Sequence, residues 1–418
     1  MHVMGKQLQL RYTDVFVPGG YPHYTYNSRE TRELEQRVGS TLDNLCKLVV
    51  VTGHTKSGKT TLVQKILPRE DAIWIDGGGI NDEEDFWSVI LDELNLFQTT
   101  ETGTTSTKEK SVSGETSVEG GVVFAKGQAK ASTSAGSSRE ATSTSSRVVS
   151  SKSAALAGLR SSKTPLVLDD FHYLPKQMQG SVIRALKPLV FNGVPVVIIA
   201  IPHRRYDAIK VEKEMTGRIL SIEVPVWAES ELGFIPVTGF ALLEHRVDTA
   251  HVNRLAEESI GSPHLMQEFC REISRRDFAG DNLDEIFFTT AENTIGRPIF
   301  DKLARGPRQR SDRIPRQLKD GTTVDIYGLV LSGLAHIKPG LVTLEYEDLR
   351  TAIKEICLAE NVPTLQEVAR VLKHMSEISA TDESSTPVID FDEDEKRLHI
   401  TDPFFAFYLR WGSMTNNG

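Results

Sequence analysis

Four short apolar runs mark the first half of the chain, Leu48-Val49-Val50-Val51, Ala72-Ile73-Trp74-Ile75, Leu166-Val167-Leu168 and residues 194–201, and a fifth short strand pattern, residues 220–224, alternates apolar and polar positions. Runs of this length, rich in Val and Ile, read as strands buried on both faces, which favours a parallel sheet. Between them apolar positions recur at helical spacing, as at Phe86, Val89, Ile90, Leu94 and Leu96, and a helix is expected over 177–189. Strands alternating with helices predict an α/β fold with a parallel, doubly wound sheet. From Trp227 the pattern becomes all-helical, with Leu232, Ile235, Phe240 and Leu243, then Val252, Leu255 and Ile260, then Met266, Phe269 and Ile273. A third pattern closes the chain. It has an apolar helix over 326–337, a second helix with Leu349, Ile353 and Ile356, and a third opened by the capping box Thr364-Leu365-Gln366-Glu367. Two short strand patterns, 388–391 and 397–400, follow, so this part reads as a winged helix. The expected division is a sheet domain over 1–226, a helical lid over 227–296 and a winged-helix-like domain over 297–418.

The first strand run leads into Gly53-His54-Thr55-Lys56-Ser57-Gly58-Lys59-Thr60 and then into the helical stretch Thr61-Leu62-Val63-Gln64-Lys65-Ile66. Strand, G-x-x-x-x-G-K-T and helix in that order form the setting of a phosphate-binding loop. Gly53 and Gly58 let the backbone turn its N–H groups onto phosphate oxygens, and the helix adds the positive end of its dipole. Lys59 is placed to reach the β- and γ-phosphates, and Thr60 to offer its hydroxyl to Mg²⁺. ATP and Mg²⁺ are the expected ligands, with the whole of Gly53–Thr60 and Thr61 lining the phosphates.

Residues 165–174 read Pro-Leu-Val-Leu-Asp-Asp-Phe-His-Tyr-Leu. An apolar strand ending in two carboxylates, about a hundred residues after a phosphate loop, is a Walker B pattern. Asp169 is expected to hold Mg²⁺ and Asp170 to polarise the attacking water. The run 194–201 is followed by His203, Arg204 and Arg205, beyond the carboxyl end of a strand where open α/β sheets bind ligands. Arg218 immediately precedes the last strand run. It is expected at the ligand-binding edge of the sheet, and its place resembles that of the arginine finger of AAA+ subunits, which implies that it reaches a neighbouring subunit's nucleotide.

Between 99 and 163 the composition shifts to Ser, Thr, Gly and Ala, which cannot build a packed core. A two-residue turn at Gly120-Gly121 sets Val118 opposite Val123 and Thr116 opposite Ala125, with small apolar groups on one face. Two readings stand: a projecting β-hairpin over 108–133, or a flexible tether. A short helix with Ala154, Ala155, Leu156 and Leu159 returns the chain to the sheet domain.

The stretch Tyr24-Thr25-Tyr26-Asn27-Ser28-Arg29-Glu30 ahead of the phosphate loop resembles the hh-x-R-E-x-E-x-L opening of AAA+ and STAND ATPases. The resemblance implies that this stretch, with Tyr26 and Arg29, sits over the adenine; Ser28 reads as the N-cap of the helix that follows. Gly261-Ser262-Pro263 matches the G-x-P motif that packs near the nucleotide in the STAND lid, which brings Pro263 to the site. The position of residues 203–205 resembles sensor 1, with Arg204 as the candidate. Residues 402–411, Asp-Pro-Phe-Phe-Ala-Phe-Tyr-Leu-Arg-Trp, resemble the closing motif of archaeal-type STAND ATPases and read as aromatics docking a terminal segment. The resemblance covers nearly everything but the Ser/Thr/Gly insertion. It implies ATP-dependent switching, assembly into a homo-oligomer through the ATP sites, and a role in signalling or defence against phage. No repeat array and no effector domain are recognisable, so a separate partner protein is implied.

Composition narrows the alternatives. The formal net charge of −9 and the wing-tip carboxylates Asp392, Glu393, Asp394 and Glu395 disfavour nucleic acid as a partner. The cluster of arginines at 305–316 keeps a DNA-handling ATPase open, and Asp rather than Glu at 170 keeps open a scaffold that binds nucleotide without turnover. The three cysteines, Cys46, Cys270 and Cys357, lack metal spacing and read as reduced core thiols. No apolar run reaches the length of a membrane span and no signal peptide opens the chain, so a cytoplasmic protein is expected.

Overall fold

The apolar runs become one five-stranded parallel sheet in the computed structural model, which describes residues 10–43, 46–96, 98–99, 123–124, 150–201, 217–276, 282–293, 296–305, 316–317, 323–341, 343–359, 361–380, 388–393 and 395–412. The strands are β1 (Leu48–Gly53), β2 (Ile73–Asp76), β3 (Leu166–Asp169), β4 (Val196–Ala200) and β5 (Ile219–Val224). Their spatial order is β2-β3-β4-β1-β5. Central β1 is buried along its whole length, as its unbroken apolar run requires. Val50 lies opposite Ile198 on one side and Ser221 on the other, and Asp76 lies opposite Asp169.

Alternation along each strand divides the core. Leu48, Val50, Ile73, Ile75, Leu166, Leu168 and Ile198 face helices Glu83–Glu93, Ser151–Ser162 and Lys176–Phe191. Val49, Val51, Trp74, Val167, Val197 and Ile199 face helices Leu34–Gly39 and Lys59–Ile66. The sheet is thus wound on both faces. Asp82 caps Glu83–Glu93 by accepting the Glu84 and Asp85 N–H groups, each at 2.9 Å.

After β5 come the helices Phe234–Leu242, Thr249–Glu258, Pro263–Arg275, Leu283–Asn293 and Gly296–Arg305. The winged-helix part has helices Ile326–Ile337, Tyr346–Ile356 and Leu365–Ala380 and the strands Ile389–Asp392 and Arg397–Ile400. A third strand, Thr343–Glu345, pairs with Arg397–Ile400 and was not legible in so short a run. The capping box forms as read: Thr364 N–H donates to Glu367 at 2.7 Å, and Glu367 N–H to the Thr364 hydroxyl at 3.3 Å. The lid and the winged helix share one continuous apolar core that also takes in Val15 and Phe16. Helix Gly296–Arg305 packs on the terminal helix Pro403–Trp411, so the region of the expected domain boundary is tightly packed.

Several expectations need correction. Cys270 is a core thiol, but Cys46 is exposed and Cys357 half-buried, because short loops carry them. Ser28 makes no cap; Asn27 accepts the Arg29 N–H at 2.9 Å instead. The hairpin over 108–133 lies outside the described residues except for Val123-Phe124, which pair antiparallel with Gln98-Thr99. His203, Arg204 and Arg205 also lie outside them.

Candidate nucleotide site

The loop between β1 and helix Lys59–Ile66 closes on its own lysine. Lys59 donates to the backbone carbonyls of Gly53 at 3.0 Å and His54 at 2.7 Å. Gly58 sets the turn into the helix with φ +87°, a conformation that Gly adopts without strain. Burial pushes the Lys59 ammonium down to about 8, against the pull of Asp170 and Asp169. The same burial, with the Lys59 charge beside it, keeps His54 below the ordinary histidine range.

The C-terminal end of β3 brings the two carboxylates to this loop. The Thr60 hydroxyl donates to Asp169 Oδ1 at 3.1 Å, and the Asp170 N–H donates to the same oxygen at 3.0 Å. Burial and the neighbouring Asp170 push the Asp169 carboxyl up to about 6. Burial also raises Asp170, while Lys59 opposes the shift. A buried and a half-buried carboxylate beside a hydroxyl are hard oxygen donors that a divalent cation would stabilise, so the set fits Mg²⁺.

A cavity of about 540 Å³ opens over the loop. Its walls include Thr55 to Thr61 and Asp170 from the sheet domain, Tyr21, Tyr26 and Arg29 from the N-terminal segment, and Pro263 and His264 from the lid. The structure therefore brings together nearly all the residues that the sequence singled out. Tyr26 is half-buried, its phenol kept neutral by burial and by the neighbouring Glu35 carboxylate. Arg29 lines the cavity, but its guanidinium is engaged elsewhere. It donates to the Pro225 carbonyl at 3.1 Å, pairs with Glu231 at 2.9 Å and lies 4.7 Å over the Trp227 ring.

Arg218 is not where it was expected. The Leu48 N–H donates to the Arg218 carbonyl at 2.8 Å, at the start of β1. In a parallel sheet a residue ahead of a strand lies at the edge opposite to the loop that follows one. Arg218 thus sits at the far edge from Lys59, its guanidinium 5.2 Å over the exposed ring of Phe191.

Residues whose contacts the sequence did not show complete the site. Trp227, just past β5, donates its indole N–H to the Ser57 carbonyl at 2.9 Å, tying the loop to the base of the lid. Gly261 of the G-x-P motif has φ +68°, and a Cβ there would come within 2.1 Å of Val226. Gln267 on the lid helix accepts the Val17 N–H at 3.1 Å and donates to the Thr25 hydroxyl at 2.7 Å, fixing the N-terminal wall. Asp402 pairs with Lys56 at 2.6 Å, so the terminal segment docks on the phosphate loop itself. An Asp-Pro pair signals a helix start, but nothing in the sequence signals that partner.

No family model matches the sequence, and no curated protein matches it. Solved structures do. The Walker-type ATPase of Pyrococcus abyssi superposes with a TM-score of 0.50 at 14% identity, over 91% of this chain and 97% of that one. The ORC2 protein of Aeropyrum pernix, in its ADPNP-ADP complexes, gives a TM-score of 0.48 at 13% identity over 96% of each chain. With the sheet order and the loop geometry, the first of these supports the fold described above, a P-loop fold built on a parallel, doubly wound sheet and followed by a helical lid and a winged helix.

Proposed function

We propose that this chain binds ATP with Mg²⁺ and hydrolyses it slowly, and that it acts as a switch controlling a partner protein. The observation that carries the reading is the meeting of Lys59, Thr60, Asp169 and Asp170 at one end of the sheet, under a lid that closes a cavity over them. Lys59 would neutralise the β- and γ-phosphates, and the loop's N–H groups would cradle them. Thr60 and Asp169 would hold Mg²⁺, which when bound neutralises charge that develops on the phosphates. Asp170 would orient the attacking water. Tyr26 and Pro263 would wall the base and sugar. A homo-oligomer built through the ATP sites, with Arg218 acting on a neighbour's nucleotide, agrees with the distance of Arg218 from its own loop. A separate effector or sensor, and a place in signalling or phage defence, belong to the same reading. Isothermal titration of Mg·ATP tests it: saturable binding that Lys59→Ala loses supports it, and equal binding by both proteins rejects it.

The second reading is a DNA-handling ATPase. It is favoured by the winged helix, in which Glu393 and Glu395 are each paired with a cation, Lys373 at 2.9 Å and Arg397 at 3.1 Å. Such pairing softens the acidic wing. Salt-dependent duplex binding separates the two readings, because phosphate contacts weaken steeply as salt rises.

A further inference from the structure

The phosphate loop holds a second lysine, and its ammonium is in the grip of the other end of the chain. Lys56 has φ +57°, an uncommon backbone state for a residue with a side chain. That conformation sends the side chain to Asp402, with Nζ–Oδ2 at 2.6 Å and side-chain exposures of only 22% and 7%. The ammonium also lies 3.9 Å over the Phe404 ring. Phe404 in turn meets His264 edge-on at 4.9 Å, and both Lys56 and His264 line the cavity. The two oxygens of Asp402 have different tasks. Oδ1 accepts the Phe405 N–H at 2.9 Å and caps the terminal helix, while Oδ2 takes Lys56. One ammonium is therefore shared by a nucleotide cavity and a buried carboxylate.

We infer that Lys56 is a second phosphate-binding cation of the loop, and that Asp402 and a nucleotide's terminal phosphate compete for it. The inference rests on the proposed nucleotide site. The half-buried Lys56 ammonium can exchange one anionic partner for another, and the buried Asp402 carboxylate left behind would then be unpaired. Nucleotide binding therefore works against the docking of the terminal helix, and undocking eases nucleotide binding. The coupling is reciprocal by linkage.

Asp402→Asn tests this in the full-length protein. Asparagine caps helices as well as aspartate, so Oδ1 keeps its task, while an amide NH₂ faces the ammonium in place of Oδ2. Mg·ATP is the probe, titrated against the wild type, Asp402→Asn, Lys56→Gly, the double variant and Lys59→Ala. The expected result is binding roughly tenfold tighter in Asp402→Asn, the scale of ordinary site-to-site coupling. That gain should vanish in the Lys56→Gly background. Asp402→Ser, another good cap, gives the same comparison if the asparagine variant fails to fold. Unchanged or weaker binding by Asp402→Asn, or an equal gain with and without Lys56, overturns the competition while leaving the nucleotide site standing. Wild type and Lys59→Ala binding alike overturns both.

Discussion

At the scale of single residues, Lys59 carries the chemistry and pays in stability for its position. Its ammonium is held by two carbonyls rather than by a full counter-charge, and burial lowers it from the ordinary 10.5 to about 8. The folded protein therefore gives up this proton before the unfolded chain does. Lys59 destabilises the fold most below pH 8, and the cost, on the order of 3 kcal/mol, is relieved as pH rises from about 8 to 10.5. Phosphate beside the ammonium restores its affinity for the proton, so ATP binding takes up a proton in that window. The expected outcome is ATP affinity that is flat between about pH 7 and 8, above the Asp169 carboxyl's range, and falls by up to about tenfold per unit above pH 8. Calorimetric titration at pH 7.5, 8.5 and 9.5 checks this; constant affinity would mean that the ammonium does not meet phosphate. Lys59→Ala should lose ATP binding yet melt no lower than the wild type, since an alanine removes a buried charge along with a ligand.

At the scale of elements, the lid is joined to the sheet domain by close backbone packing around Gly261 and Val226. Gly261→Ala would place a methyl group on Val226 in a positive-φ conformation. The expected loss is roughly 1–3 kcal/mol, from strain and overpacking together. Urea denaturation reads it as a lower midpoint with an unchanged slope. The elements were the most legible part of the chain. Four of the five strands lay in unbroken apolar runs and the last in a run broken by Ser221 and Glu223, and the phosphate loop and Asp169-Asp170 followed from their place at strand ends. What escaped was long-range pairing. The partners of Arg29 are Pro225 and Glu231, that of Trp227 is Ser57, and that of Lys56 is Asp402, 346 positions away. A polar side chain's partner across such a distance is set by how the layers pack, and local pattern holds no trace of it. Arg218 was misplaced for a related reason. Its nearness in sequence to a strand was read without asking which end of the strand it enters.

At the scale of the whole molecule, the terminal helix Pro403–Trp411 links the winged helix, the lid and the phosphate loop. Phe405 and Phe407 are fully buried in the core that lid and winged helix share, and Asp402 touches the loop. Among the described residues no helix is long and apolar enough to cross a membrane. If subunits assemble through their ATP sites as proposed, with Arg218 reaching a neighbour's nucleotide, that guanidinium does so from the far edge of the sheet. Sedimentation should then show Mg·ATP-dependent assembly of the wild type, and Arg218→Ala should bind ATP with normal affinity but stay unassembled. Assembly of Arg218→Ala at wild-type concentrations would remove that role. In the proposed mechanism the carboxylates at the end of β3 drive ATP hydrolysis at the loop that follows β1. The decisive measurement is phosphate release under saturating Mg·ATP, by the wild type and by Asp170→Asn. The expected result is slow but measurable release by the wild type and a drop of at least about a hundredfold in Asp170→Asn, with ATP binding retained. Equal release by the two proteins would rule that mechanism out.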